Sequence, residues 1–355
     1  MALAGVRVER WTRGSVLRSG IIALAIAGLF AVPTLFEPDI TQRLTGLWIL
    51  VLMGAMWNAL AGYGGLVSVG QQAFIGVGAY ATIYLTHAGI EGYTAMALAI
   101  GVTAVLALAT SFLVLRLRGG EFAIAMWVVA EVFRQVVSFD SSVGGGTGIS
   151  LTALNVYGPD YSRAFTYWWA LAAMTIGLVV LFLLLRSRSG AALQAIRDDQ
   201  TAAASLGVRV QTNKRIVFVL TSTGCGAAGA AILANQLFIQ PNSIFSVQWT
   251  AMMIFMVIVG GLGTFEGPVL GAAILFALQT QFGDGGVWYF VGLGTSAMLF
   301  ALFLPRGIWG TIADRFDLKL APIGYWVRGS ALPQAASPVP DANDEGRERS
   351  DEVMK

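Results

Sequence analysis

From Leu44 to Ile90 the chain carries no Asp, Glu, Lys or Arg, and from Ile216 to Phe265 it again carries none. A bilayer core of about 30 Å takes about 20 apolar residues as a helix. Each run therefore holds two membrane spans and a turn. A backbone crossing lipid must satisfy its own hydrogen bonds, as a helix or a closed barrel. Barrel strands alternate apolar and polar residues over about 10 positions; these runs do not. The composition agrees, with 56% hydrophobic and only 12% charged residues, against about 25% charged in a soluble domain. The expected fold is an all-α integral membrane protein with about ten transmembrane helices. The spans are placed at 20–36, 44–61, 66–86, 92–115, 121–139, 164–185, 215–236, 246–262, 266–282 and 286–304.

Lys and Arg set the orientation of such a bundle. With the N-terminus inside, the inner segments hold 19 of the 22 basic residues, while the outer loops hold only Arg43 and Arg163. Both termini are expected on the cytoplasmic side. The first span follows Arg7, Arg10, Arg13 and Arg18 but has no small-residue cleavage site after it, so it reads as an uncleaved helix. Three regions follow: a basic N-terminus over 1–19, a membrane domain over 20–310, and a largely disordered tail over 311–355. The end of that tail, rich in Pro, Ala, Ser and charge, has no aromatic residue with which to build a core.

Soluble chemistry has little to work with. No phosphate-binding G-x-x-x-x-G-K-[ST] is present, and Gly292-Leu-Gly294-Thr-Ser-Ala297 meets a dinucleotide pattern only inside an apolar span. One cysteine, Cys225, and one histidine, His87, exclude a disulfide within the chain and a His- or Cys-based metal centre. No catalytic, metal-binding or cofactor-binding residues are expected, and a net charge of +2 gives no footprint for nucleic acid. Four features stand out instead. Glycine-rich stretches at 62–80 and 260–271 permit close packing, tight turns or broken helices. They make Gly70, Gln71, Gln72, Gly260, Gly261 and Gly263 candidate gate or pathway residues. Glu131 and Arg134, three apart in a span, share a face; they are placed to pair, or to contact solute as further candidate gate or pathway residues. Asn58, Asn235 and Gln236 are further polar residues in apolar surroundings. The longest inner loop, 186–214, reads as a short amphipathic surface helix. Leu193, Ile196 and Ala203 share one face, Arg197, Asp198 and Gln200 turn elsewhere, and Gly207 suits the helix end.

Six segments together resemble the membrane permeases of branched-chain amino-acid ABC importers, specifically the M-type subunit. They are GYGGLVSVGQQAFIGVGAY at 62–80, LRLRGGEFAIAMWVVAEVFR at 115–134, GGGTGISL at 144–151, the 186–222 segment beginning RSRSGAALQAIRDDQ, VGGLGTFEGPVLGAAIL at 259–275 and FLPRGIWG at 303–310. The resemblance covers about residues 40–310 and departs from the family's usual pattern at Glu121 and at Gln71-Gln72. It implies a type II ABC importer-like bundle in a bacterial inner membrane. That bundle would pair with a homologous second permease, two ATPase subunits carrying ATP and magnesium, and an extracytoplasmic solute-binding protein. It implies import of branched-chain or other small amino acids, or of urea or a short amide. Thr201-Ala202-Ala203-Ala204-Ser205-Leu206-Gly207 fits the E-A-A-x-x-x-G loop that docks on the ATPase, with Thr201 replacing the acidic residue. Arg197, Asp198 and Asp199 match the charged step before it. The resemblance thus makes 197–207 a coupling helix. The rival from another class is an ATP-independent secondary transporter or channel, which needs a coupling-ion site within the spans.

Overall fold

A computed structural model describes residues 7–9, 20, 24–154, 156–283, 286–304, 306–316 and 326–328. The first expected span is helical at 24–29 and turns into a short helix, α1 (Val32–Leu35). A long helix follows, α2 (Pro38–Asn58), and its last turn widens into a π-helix over Ala59–Tyr63. Next come α3 (Gln72–His87), α4 (Gly92–Val114), α5 (Gly120–Phe139) and α6 (Pro159–Arg186). The charged loop forms two short helices, α7 (Arg188–Asp198) and α8 (Gln200–Ser205). The chain continues through α9 (Val210–Gln236), α10 (Pro241–Ile244), α11 (Val247–Gly260), α12 (Gly267–Phe282), α13 (Val287–Phe303) and α14 (Gly307–Phe316). Seven segments among the described residues are long and apolar enough to cross a membrane. With the shorter α3 and α12, and a helical start at 24–29 in place of the first expected span, the described bundle is roughly consistent with about ten helices.

Helices α2, α3 and α9 form the centre. Phe74 on α3 meets Phe218 on α9 edge-on at 5.6 Å between ring centroids, and Phe122 on α5 closes on the same ring at 6.4 Å. Glycine sets how near the backbones come: a Cβ on Gly78 would lie 2.0 Å from the Gly226 carbonyl oxygen, and one on Gly229 only 1.9 Å from that of Ile75. In lipid, where apolar burial gives little drive between helices, such contact supplies the dispersion energy that holds them together.

Three boundaries differ from the sequence expectation. The third span does not begin at residue 66: residues 66–71 are unwound and helix starts at Gln72. Leu66, Ser68, Gly70 and Gln71 in this stretch are buried. Non-helical backbone survives at membrane depth only when enclosed by protein. Side chains supply the missing partners here, Trp57 donating through Nε1 to the Ser68 carbonyl (2.9 Å) and Gln72 through Nε2 to that of Val69 (3.2 Å). The charged loop is two helices rather than one. Finally, α14 runs across the expected domain edge at 310, and Trp326–Arg328 form a strand (β4) inside the expected tail, pairing antiparallel with Arg7–Glu9 (β1). The rest of the tail and of the basic N-terminus lies outside the described residues. A second small pair, β2 (Ile149–Ser150) with β3 (Phe238–Ile239), ties the loop before α6 to the end of α9.

Candidate functional site

The two glycine-rich stretches, about 200 positions apart in sequence, meet backbone to backbone. A Cβ on Gly62 would lie 2.6 Å from the Gly263 nitrogen and 2.4 Å from Asn58 Oδ1. Asn58 knits them together: its Nδ2 donates to the Thr264 carbonyl (2.7 Å) and its Oδ1 accepts from the Gly263 N–H (2.8 Å). The turn after α11 needs glycine at Gly261 (φ 133°) and Gly263 (φ 75°), a region closed to most L-residues. Thr264 then braces the turn, donating to the Gly261 carbonyl (2.7 Å) and accepting from the Gly267 N–H at the head of α12 (3.1 Å). Gly260 packs on the Gly267 carbonyl, where a Cβ would be 1.9 Å away. Packing and tight turns thus account for Gly260, Gly261 and Gly263, and the contact with Gly62 joins them to the other stretch.

Above this junction lies the charged loop. Gly190 makes the sharp step from α6 to α7, since a Cβ there would sit 2.1 Å from the Leu185 carbonyl. Leu193, Ile196 and Ala203 are each buried, although the break at Asp199 puts Ala203 on a separate helix from the other two. Asp199 leaves the helical region (φ −152°, ψ 110°) and caps α8, its Oδ1 accepting from the N–H groups of Thr201 (2.7 Å) and Ala202 (3.0 Å). Gly207 (φ 82°) ends α8, with bonds from Gly207 N–H to the Ala204 carbonyl and from Val208 N–H to that of Ala203. These two bonds are the paired closure expected of a glycine-terminated helix. Lys214 on α9 adds a tie to Gln200 Oε1 (2.7 Å). The result is a braced segment in which Thr201, Ala202, Ala204, Ser205 and Gly207 are exposed and Ala203 is buried. At its tip Leu206 is 84% exposed, an apolar knob the sequence reading did not single out.

Arg197 is exposed as well, but its guanidinium is tied to partners within the chain. Its Nη1 donates to the Gly62 carbonyl (2.9 Å), while Nε and Nη2 are held by Asp198 Oδ1 (3.1 and 3.0 Å). The three charges at 197–199 therefore have their first partners within the chain: a clamp, its holder and a helix cap.

The remaining candidates fall into separate places. Gln72 is buried and also accepts from the Thr250 hydroxyl on α11. Gln71 is completely buried, and its amide has no hydrogen-bond partner among the described residues. Gly70 lets the unwound strand press on α5, where a Cβ would lie 2.0 Å from the Met126 carbonyl. Glu131 and Arg134 pair as their spacing predicts. Arg134 donates through Nε (2.9 Å) and Nη2, and also to Asn242 of α10, while Gln135 donates to Glu131 (3.0 Å). Asn235 and Gln236 sit at the far end of α9. With Gln42 they line both a cavity of about 490 Å³ beside α6 and one of about 340 Å³ beside α11 and α12. No cluster of three or more His, Cys, Asp or Glu residues able to hold a metal occurs among the described residues.

At that far end Glu91 caps α4, accepting from Tyr93 N–H (3.0 Å), Thr94 N–H and hydroxyl (2.8 Å each) and the Tyr157 hydroxyl (2.9 Å). Burial raises its pKa, but these bonds outweigh burial and hold the carboxyl below its usual value. Asp140 is likewise lowered, chiefly by the Tyr84 hydroxyl and then by Ser142.

Comparison with known proteins places this arrangement. Residues 39–304 match the profile of the family described as "Branched-chain amino acid transport system / permease component". The chain is 27% identical over 334 residues to the high-affinity branched-chain amino acid transport system permease protein LivM of Salmonella typhimurium, covering 86% of this chain and 78% of that protein. It is 26% identical over the same length to LivM of Escherichia coli, with the same coverage. A shorter stretch of 123 residues is 31% identical to the autoinducer 2 import system permease protein LsrC of an Enterobacter species, covering 31% of this chain and 36% of that one. Among solved structures, PsaBC from Streptococcus pneumoniae in complex with Fab aligns at a TM-score of 0.40 and 12% identity, covering 82% of this chain and 99% of that one. A bundle of apolar helices matched by the family profile from the start of α2 to the end of α13 belongs to the branched-chain amino acid transport permease family.

Proposed function

We propose that the chain is the membrane subunit of an ATP-driven importer and that its basic end faces the cytoplasm. There the α8 segment docks on an ATPase, while the opposite end receives solute from a binding protein. A homologous second permease completes the pathway. The solute is a branched-chain or another small amino acid, consistent with the cavities around Gln42, Asn235 and Gln236, where side-chain amides offer neutral donors and acceptors beside Arg163 in one and Arg43 in the other. The single observation that carries the reading is the braced, exposed tip Thr201–Gly207. It is capped at both ends, is exposed at every residue but Ala203 and carries the apolar Leu206 knob, as a lever seated in a partner groove requires.

The rival, a transporter driven by an ion gradient, needs an intramembrane acid free to bind the ion. Glu131 is the acidic residue the sequence offers, and its carboxylate already holds Arg134 and Gln135. The direct test is a Ser205→Cys variant reconstituted with the neighbouring ATPases, permease and binding protein. Cys225, the one native cysteine, is buried, so a bifunctional reagent reports on position 205. Crosslinking to the ATPase together with ATP-dependent uptake is expected. Uptake that proceeds without ATP or binding protein, or a residue 205 labelled only from outside the cell, overturns the reading.

A further inference from the structure

We infer that Arg197 is the positioning residue that carries movement of the docking tip into the two glycine-rich junctions; this rests on the coupling reading above and deepens it. The tip and the junctions are otherwise separate parts. The tip belongs to α8, whereas Gly62 lies in the π-turn of α2 and Gly263 in the turn between α11 and α12. Arg197, two residues before the Asp199 cap of the tip, reaches both turns with one side chain. The guanidinium grips the Gly62 carbonyl at 2.9 Å, and Gly263 lies so near that a Cβ there would be 3.5 Å from Arg197 Nη1. Behind the guanidinium, the Arg197 stem lies against the backbone of Gly65, where a Cβ would be 3.3 Å from Arg197 Cα and Cγ. Gly65 has φ 66°, so this close seat also suits glycine.

The chain of contacts is short and continuous. Asp199, two residues after Arg197, caps the tip, and Asp198 between them holds the guanidinium in line. Gly62 passes to Asn58 and Gly263, and Thr264 then passes to the head of α12. Displacing α7 without breaking this chain must displace the ends of α2, α11 and α12. Arginine suits the task because its planar fork meets two acceptors at once, Asp198 and the Gly62 carbonyl; a lysine ammonium has no such fixed geometry. The turn it grips is π-helical, a rare form that occurs mostly as single turns within helices and frequently at functional sites.

The test uses the full complex of both permeases, ATPases and binding protein, with Arg197→Gln and Arg197→Lys each placed on the Ser205→Cys background. Crosslinking at 205 and ATP hydrolysis should persist to within about twofold in both variants. Solute moved per ATP should fall about tenfold in Arg197→Gln, within the range typical of coupling between two sites, and by less in Arg197→Lys. A second readout, made without the Ser205→Cys change, is thiol labelling of a Leu262→Cys variant, at a residue 51% exposed in the turn after α11. The labelling rate with a hydrophilic maleimide should change on ATP binding in the parent and stay constant in Arg197→Gln. Asp198→Asn, which loosens the fork but leaves the Gly62 contact, should show the same defect in weaker form and serves if Arg197→Gln is not assembled. Uptake per ATP equal to the parent in Arg197→Lys and Asp198→Asn, or uptake falling only as far as crosslinking falls, overturns the inference. Loss of crosslinking in the parent itself overturns the docking reading instead.

Discussion

Gly78 and Gly229 show how one missing methyl shapes this molecule at the residue scale. With a neighbouring carbonyl at 2.0 Å or less from either added Cβ, Gly78→Ala or Gly229→Ala must push α3 away from α9. A cost of about 1–3 kcal/mol is expected for overpacking. Gly101, within α4 and with nothing within 4 Å of its added Cβ, is the control: Gly101→Ala should be neutral or stabilising by up to about 1 kcal/mol. Unfolding titrations in mixed detergent micelles distinguish the two. The sequence marks these glycines as packing residues, but it does not say which glycine meets which carbonyl, because that depends on the vertical register of helices about 150 positions apart. The role of Arg197 is illegible for a similar reason. A helical-face argument turns it away from Leu193 and Ile196, whereas the long side chain reaches past the end of α7 to a carbonyl 135 positions away. Glu91 carries a pH dependence with a definite sign. Its folded pKa is depressed, so its contribution is complete above the unfolded value of 4.5 and is lost as pH falls through the lower folded value. Exchange protection of the Tyr93 and Thr94 amides should hold from neutral pH down to about pH 5 and drop below it. Glu91→Gln should abolish that step in a hydrogen-exchange pH series.

Helix ends decide what the elements can do. Asp199→Ala removes the acceptor that closes α8, a change costing about 0.5–2 kcal/mol at such a cap. Faster amide exchange at Thr201 and Ala202 is expected, along with a lower crosslinking yield at 205 and an otherwise unchanged bundle. In α5, the Arg134 and Glu131 side chains are 23% and 51% exposed on a membrane-spanning helix. Arg134→Leu leaves a lone carboxylate there, a burden of about 2.5–3.5 kcal/mol on insertion scales. Glu131→Gln with Arg134→Leu should recover much of the loss, measured as folded yield from membranes. The helices themselves are largely legible, since hydropathy runs set their centres. The start of α3 is not, because Leu66-Val67-Ser68-Val69 is as apolar as any helix and only the backbone path shows that it is unwound. The break at Asp199 is partly legible: an Asp before Gln-Thr-Ala-Ala is a capping signal, although the neighbouring charges point equally to docking.

For the whole molecule, Arg7–Glu9 pair with Trp326–Arg328, the contact required if both ends lie on one face of the membrane, as the basic-residue bias predicts. Cysteines introduced at Val8 and Val327 should therefore both be labelled from the same side of right-side-out and inverted vesicles; labelling from opposite sides would remove the pairing. The rim of the bundle is uneven. Helices α2 and α9 are mostly enclosed, while α13 is almost bare, so the bundle has one thinly covered flank that hydropathy does not reveal. Apolar sequence alone does not distinguish a span surrounded by protein from one surrounded by lipid. The contact of Gly62 with Gly263 has a mechanical consequence at this scale. With no side-chain volume between them, the two turns mesh like teeth, and neither can ride up or down the bilayer normal alone. Whatever stroke reaches that end, the separation of residues 62 and 263 is expected to stay constant through the cycle, a fixed ruler against which every other displacement in the bundle can be read.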